Sequence, residues 1–199
     1  MHRAHNKKVL IARAVYSTIK KHKIRVLVVV GVLFVGICFI VIKKVTDKQN
    51  DAKQSEYQAG LENFSKGNFK EAIDLMEKNN QGANDPNALF KLAVSYYNQK
   101  EYDKSIEYYK KVLELDSSNS LAYNGLANVY RDQNNKDKAV ENYKKSIEIN
   151  PTFALAYSNL AIMLMDLGEN KEAGDIIEDG LKNVPNSPEL KNVEIFFKK

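Results

Sequence analysis

The side chains most often used for catalysis are few in this sequence and lie away from its bulk. Its three histidines, His2, His5 and His22, all fall within the first 22 residues, and its one cysteine, Cys38, sits inside an apolar run. Ser-His and Cys-His catalysis and histidine-ligated metal sites are thereby excluded from residues 23–199. A single cysteine forms no disulfide within the chain. Carboxylates are plentiful but scattered over polar helix positions and turns. The stretches 116–120 and 132–135 lack the oxygen-ligand spacing and closing Glu of a calcium loop. The sequence carries no phosphate-binding or dinucleotide glycine fingerprint. No cofactor, no metal and no catalysis are expected. Recognition chemistry is what remains. Arg131 is the only arginine in residues 43–199, with Asn124 and Asn128 shortly before it and Asn159 further on. A guanidinium holds carboxylates or backbone carbonyls, and Asn amides both donate and accept, which suits an extended peptide. The alternative is a local pair of Arg131 with Asp132 or Asp166.

The charge is unevenly spread. The 199 residues carry a formal charge of +5. Residues 1–25 hold eight Lys/Arg and no Asp or Glu, giving +8, whereas residues 43–199 hold 22 Lys/Arg and 25 Asp/Glu, giving −3. A basic arm precedes a mildly acidic body, and an acidic body repels phosphate backbones, so no nucleic-acid partner is expected.

Residues 26–42, VLVVVGVLFVGICFIVI, contain no charge. As a helix they span roughly 25 Å, and Arg25, Lys43 and Lys44 can snorkel outward. The expectation is a single-pass transmembrane helix acting as an uncleaved signal-anchor; a cleaved signal and a buried core segment are the rival readings. The basic arm places the N-terminus in the cytoplasm and the body on the extracytoplasmic side of the cell membrane. The arm, with Leu10, Ala14 or Val15, and Ile19 at helical spacing, either sets topology alone or also contacts anionic lipid. Residues 43–52 form a polar linker, either a loop or a continuation of the helix. Composition rich in Lys, Asn and Ile, without Trp, leans bacterial.

The elements that must position the recognition residues come from self-similarity. Residues 86–119, 120–153 and 154–187 align at a period of 34 without gaps, and 53–85 adds an earlier, weaker copy. Column 8 of the alignment holds Gly60, Ala93, Ala127 and Ala161; column 20 holds Ala72, Ser105, Ala139 and Ala173. Small residues there allow two antiparallel helices to approach closely. Column 7 (Ala59, Leu92, Leu126, Leu160) and column 24 (Met76, Tyr109, Tyr143, Ile177) fill the space between helices. Gly67 and Gly168 mark the turn within a unit, and Pro151 and Pro185 follow helix ends. Asp103 and Asp137 are expected to cap the second helix of their units.

The period, the small residues at columns 8 and 20, Tyr96 and Tyr130 at column 11 and the prolines at column 32 resemble the tetratricopeptide repeat family over residues 53–187. The resemblance implies an all-α, right-handed solenoid of helix-turn-helix units, closed by a capping helix over 188–199. Within it Leu190, Val193 and Phe197 share one face. The resemblance also implies that columns 2, 5, 6, 9, 12 and 13 of each first helix face a groove. Those columns bring forward Phe90, Lys91, Val94, Tyr97 and Asn98 in one unit. They bring forward Asn124, Asn128, Arg131 and Asp132 in the next, and Ser158, Asn159, Ile162, Met165 and Asp166 in the last. The expected partner-binding set is Tyr97, Asn124, Asn128, Arg131, Asn159 and Met165. The remaining tyrosines in packing columns, Tyr96, Tyr109, Tyr130 and Tyr143, read as core. The two-carboxylate clamp of the family's chaperone-binding members is incomplete: Asn128 and Asn159 match it, but Asn124 replaces a lysine and no further unit supplies the last pair. The sequence therefore points to a membrane-anchored scaffold or adaptor that holds a protein or peptide partner for assembly of a membrane or envelope complex. A self-associating module or an accessory subunit is the alternative.

Overall fold

Steric demand between paired helices explains most of the architecture. In a computed structural model of the chain, column 8 and column 20 residues meet face to face. Ala93, Ala127, Ala161, Ala72, Ser105, Ala139 and Ala173 are all fully buried. Gly60 is buried too, and a Cβ there would lie 2.7 Å from Met76 Cγ. The structure describes residues 2–78 and 84–197, with the side chains of residues 2–16, 19, 24–30 and 197 excepted.

The described helices are α1 (His2–Ser65), α2 (Phe69–Glu77), α3 (Pro86–Asn98), α4 (Tyr102–Leu115), α5 (Ser120–Asp132), α6 (Lys136–Ile149), α7 (Ala154–Asp166), α8 (Asn170–Asn183) and α9 (Pro188–Phe197). The chain divides into two compact units, Met1–Ala52 and Lys53–Lys199. In the second unit α3 packs on α4, α5 on α6 and α7 on α8, and each second helix also packs on the first helix of the next pair. This is an all-α helical repeat solenoid. The main core includes Leu126, Tyr143, Leu160 and Leu164, and a second, smaller cluster of Ile73, Met76, Ala88, Leu92 and Tyr96 lies at its N-terminal end. Each such side chain contributes about 1.5–3 kcal/mol by burial. α9 closes the array by burying Leu190 and Val193 against α7 and α8; the expected contribution of the Phe197 side chain lies outside the described residues, as do the terminal Lys198 and Lys199.

Column 15 shows a backbone constraint at all four copies. Gly67, Lys100, Asn134 and Gly168 have φ values of 78°, 60°, 58° and 80°. Each turn closes with the same two bonds. In the second unit of the repeat, for instance, Lys100 N–H donates to Tyr97 O at 2.9 Å and Glu101 N–H donates to Tyr96 O at 2.9 Å. This left-handed closure satisfies the last carbonyls of the first helix and sends the chain back along it. Only the two glycines adopt it without steric cost.

Helix starts differ from the expectation for Asp103 and Asp137. Both lie inside the first turn of their helices, where a carboxylate favours the positive helix end. The side-chain caps belong to other residues: Asp85 accepts from Asn87 N–H at 3.0 Å, Asn119 from Ala122 N–H at 3.0 Å and Asn135 from Lys138 N–H at 3.4 Å. A cap must precede the first turn, and the two aspartates come one or more residues too late.

The N-terminal unit corrects the localisation read from sequence. Among the described residues, no helix is long and apolar enough to cross a membrane. The uncharged run, residues 26–42, spans roughly 25 Å as a helix, short of a hydrocarbon core of about 30 Å. α1 then continues through residues 43–52, so that polar stretch is helical rather than a loop. The single-pass transmembrane placement of residues 26–42, with a cytoplasmic N-terminus and extracytoplasmic repeats, therefore falls. Most side chains of the basic arm lie outside the described residues.

Two substitutions test these packing statements. A Cβ at Gly125 would lie 2.3 Å from Tyr109 Cζ, and that ring is buried and edge-packed on Phe90 at 5.6 Å between centroids. Gly125→Ala is expected to destabilise the fold by about 1–3 kcal/mol, and Tyr109→Leu in the same chain to recover part of that loss, read by thermal or urea unfolding. Lys100→Gly relieves the left-handed strain at an exposed position, and is expected to raise stability by about 0.5–1 kcal/mol in the same measurement.

Candidate partner-binding face

The first helices of the repeats each leave one side open, and helical periodicity says which. Along α5, Leu121, Asn128 and Asp132 stand at i, i+7 and i+11 and share one face; Asn124 and Arg131 flank it. Along α7 the same register gives Leu155, Ile162 and Asp166, flanked by Asn159 and Met165. Along α3 it gives Asn87, Val94 and Asn98, flanked by Tyr97. The opposite sides of these helices are buried, at Leu92, Leu126 and Leu160 among others.

Side-chain bonds tie these open faces into one layer. Between α3 and α5, Tyr97 O–H donates to Asp132 Oδ2 at 2.6 Å. Arg131 sits beside this bond. Its Nε donates to Asp132 Oδ1 at 3.0 Å, and Nη2 lies 2.9 Å from the same oxygen. Its Nη2 also reaches Tyr97 Oη and its Nη1 reaches Tyr143 Oη, each at 3.4 Å. The Tyr143 O–H in turn donates to Asn128 Oδ1 at 2.6 Å. Between α5 and α7, Asn159 Nδ2 donates to Asn124 Oδ1 at 3.1 Å.

Burial and these partners set the protonation of the two phenols. Burial, followed by the hydrogen bond to Asp132, pushes the Tyr97 phenol up to about 12. Burial pushes the Tyr143 phenol up to about 12 as well, although Arg131 acts in the opposite direction. Both are neutral donors throughout the physiological range. Among the described residues, every buried side-chain polar atom has a partner.

The structure therefore brings five of the six shortlisted residues into two bonded clusters. Tyr97, Asn128 and Arg131 belong to the larger one, and Asn124 and Asn159 to the smaller. Met165 packs against the core beside them. Of the two sequence readings of Arg131, the local pair with Asp132 is the one present in the structure. Tyr143, read as core, is fully buried by its ring yet lends its hydroxyl to the larger cluster.

Three large apolar residues absent from the shortlist are exposed on this face. Leu121, Leu155 and Ile162 are 50%, 44% and 44% exposed. Leucine at column 2 in two successive units was the signal that could have found the first two. Ile162 stood in the groove columns but not in the final set.

A second cluster lies where α2, α3 and α4 meet. Tyr96 and Tyr108 both donate to Glu77 Oε1 at 2.6 Å, and their rings stack at 5.4 Å. Lys104 lies over Tyr96 and Lys111 over Tyr108, at 4.7 and 4.5 Å. A shallow cleft of about 370 Å³ beside it is lined by Lys70, Asp74, Glu77 and Lys104 among others. The Glu77 hydrogen bonds join the first repeat, residues 53–85, to the second, residues 86–119. Among the described residues, no group of three or more His, Cys, Asp or Glu side chains could hold a metal ion.

Comparison with known proteins bears on this face through the fold. Two family models described as tetratricopeptide repeat match residues 84–151 and 142–175. No curated protein matches by sequence. A crystal structure of MamA shares 24% identity, with 72% of this chain and 84% of that chain covered and a TM-score of 0.64. MamA 41-end from Desulfovibrio magneticus RS-1 shares 17% identity, with 68% and 77% covered and a TM-score of 0.62. The first TPR of Spaghetti (RPAP3), bound to the HSP90 peptide SRMEEVD, shares 22% identity, with 58% and 94% covered and a TM-score of 0.52. At these identities the likeness is one of fold. Residues 84–175 are thus similar to tetratricopeptide repeat models, and the helical array shares its fold with these solved structures.

Proposed function

We propose that the open face of α3, α5 and α7 holds a peptide or a segment of a partner protein, and that the chain acts as a non-catalytic scaffold or adaptor in the assembly of a protein complex. The observation that carries this reading is the exposure of Leu121, Leu155 and Ile162 on the same face as the bonded polar clusters. Apolar side chains left open beside an ordered polar floor cost solvation energy, and a partner that covers them recovers it. The fold likeness to a repeat domain with a bound peptide supports the same mode. Tyr97, Asn124, Asn128, Arg131 and Asn159 form the polar floor, and Met165 adds apolar contact. The floor is already hydrogen-bonded, so its order precedes binding and less entropy is lost on association. Arg131 has five N–H donors, and those not used by Asp132 and the two phenols are available to carbonyls of an extended segment.

Photocrosslinking tests the face directly. A photoreactive side chain placed at Leu121 is expected to give a discrete partner adduct, whereas one placed at Lys110, an exposed residue of α4, gives none. Leu155→Ser should reduce the Leu121 adduct by about tenfold without unfolding the chain, since about 1.4 kcal/mol of binding energy corresponds to that factor. Equal adducts from both probes, or adducts only from Lys110, would overturn the reading. Arg131→Ala is expected to cost about 1 kcal/mol of stability, because its charge-assisted bonds are only half shielded from water, and to weaken the adduct further.

A further inference from the structure

We propose that the occupant of this face is a basic amphipathic segment, with apolar side chains along one side and Lys or Arg beside them; this rests on the reading of the face as a binding site. The open rows have a polarity that runs along the helices. At the N-terminal ends stand Leu121 and Leu155, with Ile162 two turns further along α7. At the C-terminal ends stand Asp132 and Asp166. The distance along α7 from Leu155 to Ile162 is about 10 Å, and from Ile162 to Asp166 about 6 Å more, at ~1.5 Å per residue. An amphipathic helix, about 10–12 Å across with its side chains, covers the apolar strip and sets its flank against the carboxylates.

Charge complementarity selects the sign of that flank. Asp132 is shared with Arg131, but Asp166 is exposed and forms no ion pair among the described residues. The first turns of α6 and α8 follow directly after α5 and α7 at this edge, so the helix dipoles offset one another and the side-chain charges decide. Of the three units of this face, the one that carries Asp166 is the acidic one. Residues 86–119 hold five Lys and five Asp/Glu, giving 0. Residues 120–153 hold five Lys/Arg and four Asp/Glu, giving +1. Residues 154–187 hold two Lys and six Asp/Glu, giving −4. An acidic tail brought to Asp166 meets like charge, whereas a basic flank meets opposite charge.

Three labelled synthetic peptides of equal length separate the possibilities when titrated into the purified full chain by fluorescence anisotropy. The first carries Leu on one helical side and Lys on the other. The second carries Glu in place of Lys, and the third carries Gln in place of Leu. The Leu/Lys peptide is expected to bind about tenfold more tightly than either of the others, and to weaken with added salt. Asp166→Lys should lower its affinity about fivefold and raise that of the Leu/Glu peptide. Leu155→Ser combined with Ile162→Ser should lower both. These three positions are exposed or nearly so, and unchanged far-UV circular dichroism verifies the fold of each variant. Equal affinity for the Leu/Lys and Leu/Glu peptides, or indifference of the Leu/Lys peptide to Asp166→Lys, would overturn the proposal. If the Leu/Glu peptide instead binds best and crosslinks from Leu121, the face is a binding site but its occupant is acidic, and only this inference falls. If no peptide binds and Leu121 crosslinks only to a second copy of the chain, both readings fall.

Discussion

Close approach between the two helices of a unit is the constraint from which the rest follows. Column 8 and column 20 hold only Gly, Ala or Ser in all four copies, and the residues there are buried against one another. Where the column 20 residue is Ser105, its hydroxyl donates to the Ala93 carbonyl at 2.8 Å, so even the polar member of the set is satisfied inside the pair. A larger side chain at either column would separate the helices by more than the packed core tolerates. The larger residues of columns 7 and 24 other than Ala59 are buried between the helices, and one side of α3, α5 and α7 is left partly open. The open face is thus a by-product of how the pairs are built.

That face is ordered by side chains whose roles differ from those their types suggest. Arg131 looks like a free anion receptor, yet it is bonded to Asp132 and lies within reach of two tyrosine hydroxyls. Tyr143 looks like filler, yet its hydroxyl orders Asn128. The cluster links the second and third units, and the Asn124–Asn159 bond links the third and fourth. What α5 and α7 leave open to solvent is apolar toward their N-terminal ends and acidic at their C-terminal ends.

The period of 34 and the small-residue columns were legible in the sequence because each column obeys a local steric rule that repeats, and repetition separates it from chance. The all-α solenoid follows from it. Two features were not legible. Lys100 and Asn134 share the left-handed turn of Gly67 and Gly168, but a lysine carries no sign of positive φ, which is imposed by the closing bonds of the turn. The apolar run at residues 26–42 read as a membrane span from its lack of charge, whereas among the described residues no helix is long and apolar enough for that.

The sequence by itself determined the repeat and the pairing of helices, because these depend on residue size and spacing along one chain. Only the tertiary structure decided which side chains are engaged and which are open. Partners such as Tyr97 with Asp132 and Asn124 with Asn159 lie 35 residues apart. Whether such side chains bond to each other or face solvent depends on the lateral placement of neighbouring helices. That placement is set by the packed core between units, and no local pattern encodes it.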